Sequence, residues 1–228
     1  MSRKPRVGQC VYCGADGLVT RDHVPPKCLF PPNARANLVT VSACSKCHDS
    51  FKLDDEYFLL TLSMRGDLPD RAESTFLKEK TQRTLRDPRA TAFRTALQAA
   101  VKRVPVRVPG STDVIETTLL RIDGVRIQRT ANRIVRGLHA KYFGKVLPAT
   151  HELTVHLFDF QRDNSAVQHP QVKELFSLLK QHGTNHKFGP VLDVWYASAE
   201  DDGDSCFWAV CLHGAFELVA FTIPNDER

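Results

Sequence analysis

The fold of this chain is decided by residues 10 to 48, which begin Cys10-Val11-Tyr12-Cys13 and end Cys44-Ser45-Lys46-Cys47-His48. Zinc prefers four thiolate or imidazole ligands placed at the corners of a tetrahedron. Each Cys-x-x-Cys pair supplies two sulfurs from one tight turn, and the glycine after the first pair suits such a turn. The two pairs therefore predict one structural zinc site, on Cys10, Cys13, Cys44 and Cys47. The alternatives are two unrelated reduced pairs or a redox motif, although a redox pair usually accompanies a βαβ pattern that is missing here.

The run of 30 residues between the two pairs is longer than in a zinc ribbon, so it must contain a folded element. Inside it, Asp22 and His23 are adjacent, and adjacent side chains of an extended segment point to opposite faces. Val24-Pro25-Pro26 favours that extended geometry, because a residue before proline avoids the helical region. We therefore expect one of the two side chains to face a metal and the other to face a substrate.

His48 directly follows Cys47, at the start of a helix predicted over residues 49–63. One carboxylate oxygen and one imidazole suit a divalent cation that keeps open positions for water and a phosphate. Farther along the same helix, Asp54-Asp55-Glu56 could reach the metal, but it is more typical of an exposed acidic patch. Read singly, Asp22 would be a turn or cap residue and His23 an ordinary polar side chain; together, inside a zinc site, they favour the catalytic interpretation.

Together these residues resemble the HNH family of ββα-metal nucleases, in the subgroup held by two Cys-x-x-Cys knuckles. The resemblance covers about residues 10–60. It rests on the Asp-His-x-x-Pro step at Asp22, the Asn-Leu-Val step at Asn37 and the Cys-x-x-Cys-His run that ends at His48. It implies an N-terminal zinc-stapled ββα-metal domain that hydrolyses phosphodiester bonds of nucleic acid, DNA in preference to RNA. Such nucleases commonly serve in defence against phage, in restriction or in mobile elements.

The resemblance also implies a role for each site residue. Asp22 and His48 would hold a catalytic divalent cation such as Mg²⁺ or Mn²⁺, His23 would be the general base, and Asn37 would orient His23. Asn37 lies eleven residues before His48, about two more than in the tight family motif, and Asn33 is the alternative. The Gly-rich loop that usually follows the Asp-His step is replaced by Lys27-Cys28-Leu29-Phe30-Pro31-Pro32.

Charge is distributed unevenly along the 228 residues. Residues 1–145 hold 26 Lys and Arg against 14 Asp and Glu, a net +12, whereas residues 146–228 hold 5 against 12, a net −7. A basic majority suits a polyanionic partner, although a merely soluble surface would look the same. No run of 18 apolar residues or secretory signal is present, and the seven cysteines suit a reducing compartment. We therefore expect a cytoplasmic protein without a membrane partner.

The chain as a whole is predicted to be α+β. We divide it into a nuclease domain at 1–64, a basic helical segment and linker at 65–110, and an α+β domain at 111–228. The helical segment should contain helices at 70–86 and 88–103, followed by a linker or an edge segment at 104–110. In the C-terminal domain we expect a hairpin turning at Asp123-Gly124, a helix from 130 to 146, and a strand–helix–strand remainder.

The predicted helix at 130–146 has an apolar stripe, and three arginines lie opposite it at helical spacing: Arg129, Arg133 and Arg136. They could follow a phosphate backbone or form an ordinary solvated face. The C-terminal domain could serve specificity, regulation or homodimerisation. The overall prediction is a metal-dependent endonuclease. The alternative is a non-catalytic zinc-binding module that binds nucleic acid or protein, which would not need the Asp22, His23 and His48 set.

Overall fold

A computed structural model describes residues 5–107, 109–158 and 170–225. The chain begins with a three-stranded antiparallel sheet in the order β1-β2-β3. Its strands are β1 (Arg6–Gln9), β2 (Asp16–His23) and β3 (Thr40–Cys44). Two helices follow at once, α1 (Ser45–Ser50) and α2 (Lys52–Ser63), close to the single helix expected at 49–63. The mixed α+β class is confirmed.

The next segment starts with α3 (Ala72–Arg86), as expected for residues 70–86. The Asp87 carboxylate then accepts a hydrogen bond from the Arg89 N–H and caps a 3₁₀ turn that leads into α4 (Thr91–Ala100). The prediction that this helix continues to residue 103 is wrong, whereas the edge-segment alternative is confirmed for residues 104–107. A hairpin formed by β4 (Val101–Arg107) and β5 (Val114–Leu120) stands here, because both strands are rich in β-branched residues.

The predicted hairpin turn at Asp123-Gly124 is also wrong. The Asp123 carboxylate accepts hydrogen bonds from the Val125 and Arg126 N–H groups, so it is the N-cap of α5 (Gly124–Phe143). An Asp-Gly step suits both a hairpin turn and a helix start, and here β5 already has its partner in β4. The helix ends at Gly144, whose φ of 71° is left-handed.

The second sheet has five antiparallel strands in the order β6-β10-β9-β8-β7. Its elements are β6 (His151–Phe158), α6 (Pro170–His182), β7 (Thr184–Phe188), β8 (Leu192–Ser198), β9 (Cys206–Leu212) and β10 (Phe216–Pro224). The strand–helix–strand prediction is confirmed in outline. Strand β7 was missed. The first strand of this remainder is expected to run from residue 151 to residue 160, and residues 159 and 160 lie outside the described residues.

One cluster of buried side chains runs from Val11 to Ala220 and joins the two sheets through α2 and α5. Phe58 of α2 meets Phe216 of β10 edge to face, with ring centroids 4.9 Å apart. Helix α5 approaches the first sheet so closely that a Cβ on Gly137 would lie 2.5 Å from Cγ2 of Val24. The core thus crosses the boundary predicted at residue 64, and α5 lies directly behind the Asp22-His23 step. Among the described helices, none has the length and apolar character needed to cross a membrane.

Candidate metal centre and catalytic residues

The four predicted zinc ligands come together. The sulfurs of Cys10, Cys13, Cys44 and Cys47 all lie within 4.8 Å of one another. The Cys13 and Cys44 sulfurs are 3.8 Å apart. Four sulfurs bonded tetrahedrally to zinc at about 2.3 Å would be about 3.8 Å apart, so the cluster fits a structural zinc ion with little adjustment.

Backbone geometry explains how the first knuckle is formed. The Gly14 N–H donates to the Cys10 carbonyl over 2.8 Å, and Gly14 takes a φ of 72° that a side chain would disfavour. Burial raises the pKa of the Cys10 thiol, but backbone N–H groups, those of Cys44 and Cys13 foremost, outweigh it and bring the pKa down to about 7. The backbone around Cys10 therefore favours its thiolate, the form that zinc binds. A backbone hydrogen bond from Ala15 lowers the pKa of Cys13, but the hydrogen bond with the Cys10 sulfur opposes it, and the pKa of Cys13 is raised.

Strand β2 presents Asp22 and His23 on opposite faces, as the sequence predicts. In the register of β2 with β3, Asp22 lies opposite Val41 and His23 lies opposite Thr40. The Val24 N–H donates to the Val39 carbonyl over 3.0 Å and continues the pairing one residue beyond the strand. The two candidate side chains therefore occupy different environments.

Asp22 is buried, with 5% of its surface exposed, and both of its oxygens are fully bonded. Oδ2 accepts from the Tyr12 hydroxyl over 2.6 Å and from Arg133 Nε over 3.1 Å. Oδ1 accepts from Arg133 Nη2 over 3.0 Å and from the His23 N–H over 3.0 Å. A carboxylate has about four lone-pair directions, and here all four are used.

Arg133 is the partner that α5 sends into this cluster. It is only 4% exposed. Its Nη1 donates to Asp55, and its guanidinium lies 4.5 Å from the Phe51 ring centroid. Burial opposes the guanidinium charge, but the carboxylates of Asp22 and Asp55 more than compensate and raise the pKa of Arg133 above its usual range. This arginine is a buried counter-ion.

The predicted basic face of α5 is therefore wrong in its main feature. Arg133 is buried, and Arg129 donates from Nε and Nη2 to Asp54 over 2.8 and 3.0 Å. Arg136 is half-buried, and burial lowers its pKa. The physical reason is that α5 packs against α2, whose carboxylates take up these cations. The exposed acidic patch expected at Asp54-Asp55-Glu56 is wrong for the same reason, because Asp54 is buried.

His48 lies on α1 with 39% of its side chain exposed. Its Nε2 is 4.0 Å from Asp22 Oδ1, and its Nδ1 is 3.8 Å from an Asp49 oxygen. Two ligands of one cation with bonds of about 2.1 Å can be at most about 4.2 Å apart, so the Asp22–His48 spacing alone is within range. The bonding of Asp22 is incompatible with such a cation, because the cation would have to displace a hydrogen bond and lie next to the Arg133 guanidinium. The arrangement does not accommodate the predicted catalytic cation.

His23 has a different environment. Its ring is half-buried and accepts or donates no hydrogen bond among the described residues. Burial, followed by the nearby positive charge of Lys27, lowers the pKa of His23. The Asp22 carboxylate opposes this shift, and Arg21 and Arg35 add to it. The imidazole is therefore neutral near pH 7 and lies among cations.

The two asparagine candidates lie away from hydrogen-bonding partners. Asn37 is exposed in the turn before β3, and Asn33 is exposed in a 3₁₀ helix at Pro32–Ala34. Neither side chain forms a hydrogen bond within the described part of the chain, so no contact of Asn37 supports the role of orienting His23 that the resemblance implies.

Sequence reasoning missed Tyr12, Arg133 and Asp55 as members of the Asp22 cluster. Tyr12 sits inside the first knuckle, so its position next to the site was available from spacing alone. The contribution of α5 was not, because 111 residues separate Asp22 from Arg133. No family model, curated protein or solved structure matches the chain.

Proposed function

We propose that this protein is an endonuclease of the HNH type that hydrolyses phosphodiester bonds in nucleic acid, with DNA as the favoured substrate. The single observation that carries the proposal is the state of His23. It stands at the end of β2, one residue from the buried Asp22, with a ring that has no hydrogen-bond partner among the described residues. Its lowered pKa keeps the imidazole neutral, which is the form that accepts a proton.

In the proposed reaction, His23 removes a proton from a water molecule as the water oxygen attacks phosphorus. The bond from phosphorus to the leaving oxygen breaks, and that oxygen takes up a proton from solvent. The products are a phosphomonoester and an alcohol. The cations around the ring, Arg21, Lys27 and Arg35, are suited to stabilise the negative charge that grows on the phosphate oxygens.

Asp22 supports this centre by fixing its backbone. Its Oδ1 accepts the His23 N–H, and Arg133 also donates to the His23 carbonyl over 3.4 Å. Both backbone polar groups of His23 are thus held by a buried ion pair. A cation on Asp22 and His48 has no part in this reaction, because the bonds from Arg133 and Tyr12 already use the Asp22 oxygens.

Nicking of supercoiled plasmid tests the proposal, with Mg²⁺, Mn²⁺ or chelator present. His23→Ala should keep the fold and the zinc and lose roughly a hundredfold to ten-thousandfold of the cleavage rate, as expected for a positioned general base. His182→Ala is the matched control, because His182 is an exposed histidine at the end of α6. Cleavage that persists in the His23→Ala protein would overturn the assignment of the base.

One observation favours a second candidate, a non-catalytic zinc-binding module that binds nucleic acid. The complete bonding of Asp22 by Tyr12, Arg133 and the chain itself is what a purely structural carboxylate would show. Tight binding of nucleic acid by the wild-type protein, with no cleavage under any of the three metal conditions, would support this candidate over the nuclease.

A further inference from the structure

We propose that the nucleic-acid backbone lies across the face of the first sheet that carries His23, where Arg6, Arg21 and Lys27 contact its phosphates. This inference rests on the proposed function, since it names the surface that would bring a phosphodiester to His23. It replaces the α5 surface that the sequence suggested.

Strand register places the residues of this face together. On β2, Arg21 and His23 are two residues apart, so they share a face and leave the strand about 7 Å apart. Their partners on β3 are Ser42 and Thr40, and directly paired residues point to the same side of a sheet. Arg6 of β1 lies on the same face, because its Nη2 donates to Ser42 Oγ over 2.9 Å, across the central strand β2.

The cations on this face and beside it are available to a ligand. Lys27 lies beyond the end of β2, in a 3₁₀ turn at Lys27–Leu29, and its charge acts on the His23 ring. Arg6, Arg21 and Lys27 are all exposed. Within the described ranges, no carboxylate oxygen lies within 4.0 Å of any of the three, in contrast to Arg126, Arg129 and Arg133. An unpaired surface cation can neutralise a phosphate and release a counterion, whereas a cation already bonded to a carboxylate gains little by doing so.

A cavity of about 300 Å³ extends the face toward the end of α5. Arg6, Thr40 and Ser42 line one side of it, and Lys141 and Lys145 of the α5 end line the other. Lys145 is bonded to Asp204, whereas Lys141 is exposed and has no carboxylate partner among the described residues. Hydroxyl and ammonium donors of this kind are the usual contacts to phosphate oxygens.

The polyanion that fits best is a nucleic acid. A row of cations and hydroxyls along two strands matches a linear series of phosphates, and His23 within that row places a general base beside one of them. Anionic lipid headgroups would meet the same charges without needing His23. The binding experiment therefore includes vesicles as a separate arm.

The test compares two triple variants that each remove three positive charges. The first is Arg6→Ala, Arg21→Ala and Lys27→Ala. The control is Lys52→Ala, Arg89→Ala and Arg103→Ala, whose cations are exposed but lie 2.7, 2.7 and 3.9 Å from carboxylates. Binding of a labelled DNA duplex is measured by fluorescence anisotropy over a series of salt concentrations, in a His23→Ala background so that the probe stays intact. Zinc content and circular dichroism verify that each variant is folded.

Each lost phosphate contact lowers the slope of log affinity against log salt by about 0.9, so the first variant should lose roughly three in slope and the control should keep the parent slope. An unchanged slope in the first variant, an equal loss in the control, or a loss confined to vesicles of anionic phospholipid would overturn the inference. Failure of the proposed function is a separate result. If the triple variant loses slope but the wild-type protein cleaves nothing, the binding surface stands and the nuclease proposal fails. If the wild-type protein cleaves but the triple variant keeps the parent slope, the nuclease proposal stands and the binding surface fails.

Discussion

Two groups of arginines in this protein differ in whether the fold gives them carboxylate partners. On α5, Arg126 and Arg129 both bond to Asp54, and Arg133 bonds to Asp22 and Asp55. On the first sheet, Arg6 and Arg21 are exposed and have no carboxylate partner in the described part of the chain. A basic stretch of sequence therefore does not by itself mark a binding surface. What decides is whether the fold brings carboxylates to it.

The reason lies in the packing of α5 against α2. Helix α2 carries Asp54 and Asp55 in its first turns, and α5 crosses it with three arginines at helical spacing. Among the described residues, no carboxylate contacts the cations of the sheet face. The four predictions below test this comparison, beginning with the largest expected effect.

The sheet face is expected to depend on a structural zinc ion, because the four-cysteine cluster at the ends of β2 and β3 fits one. Structural zinc contributes on the order of 10 kcal/mol of folding free energy in small domains. Cys44→Ser should therefore abolish zinc binding, unfold the first sheet and remove polyanion binding. Zinc analysis and thermal unfolding check this, with Cys28→Ser as the control, since Cys28 lies outside the sulfur cluster. A Cys44→Ser protein that retains one zinc and its melting temperature would contradict the assignment.

Arg133 and Arg129 should differ strongly when removed. Arg133→Met leaves Asp22 and Asp55 buried without a counter-ion, and breaking a buried pair costs about 3–5 kcal/mol. Arg129→Met removes an arginine whose side chain is 56% exposed, so its loss should cost less than about 1 kcal/mol. Urea unfolding of the two variants measures both values.

An equal loss of unfolding free energy for the two substitutions would contradict the burial of Arg133 as a counter-ion. Asp22→Asn added to Arg133→Met should restore part of the stability, because it removes one of the stranded charges. A double variant less stable than the single one would contradict the pairing.

The same arginines show how far sequence alone could reach. The zinc ligands and the opposite faces of Asp22 and His23 follow from local spacing, and local spacing survives folding. Arg133 could not be placed, because its partners are set by a contact between helices 78 residues apart in the chain. Asp123-Gly124 was misread for a similar reason, since only the pairing of β4 with β5 shows that β5 needs no second partner.

The buried pair should also make stability depend on pH. Burial raises the pKa of Asp55 from 3.8 to about 6, although Arg133 opposes the shift. The folded state therefore holds this proton more tightly than the unfolded state. The resulting stabilisation is present below about pH 4 and is lost as the pH rises through about 6. A shift of this size corresponds to about 3 kcal/mol.

Unfolding free energies of wild type and Asp55→Asn at pH 4, 5.5 and 7 check this expectation. The wild-type value minus the variant value should fall as the pH rises. The neighbouring Asp54→Asn is the control. Burial of Asp54 is outweighed by hydrogen bonds from Arg129 and Arg126, which lower its pKa below 3.8, so its contribution is lost only below about pH 4 and the corresponding difference should change little between pH 5.5 and 7. If the unfolding free energy of wild type minus that of Asp55→Asn instead rises with pH, Arg133 keeps the Asp55 carboxylate ionised.

The smallest effect tests whether neutralisation is what keeps α5 from binding phosphate. Asp54→Asn removes the carboxylate that Arg126 and Arg129 share and leaves the shape of the side chain unchanged. The two freed cations lie partly exposed, so the salt slope of DNA binding should steepen by up to about two. Asp55→Asn is the matched control, because the same change one residue away leaves Arg133 buried against Asp22 and should not alter the slope. An equal increase of the salt slope in both variants would show that the change in net charge alone explains the effect. No gain in Asp54→Asn would mean that the position of α5, and not its carboxylate partners, prevents contact with the nucleic acid.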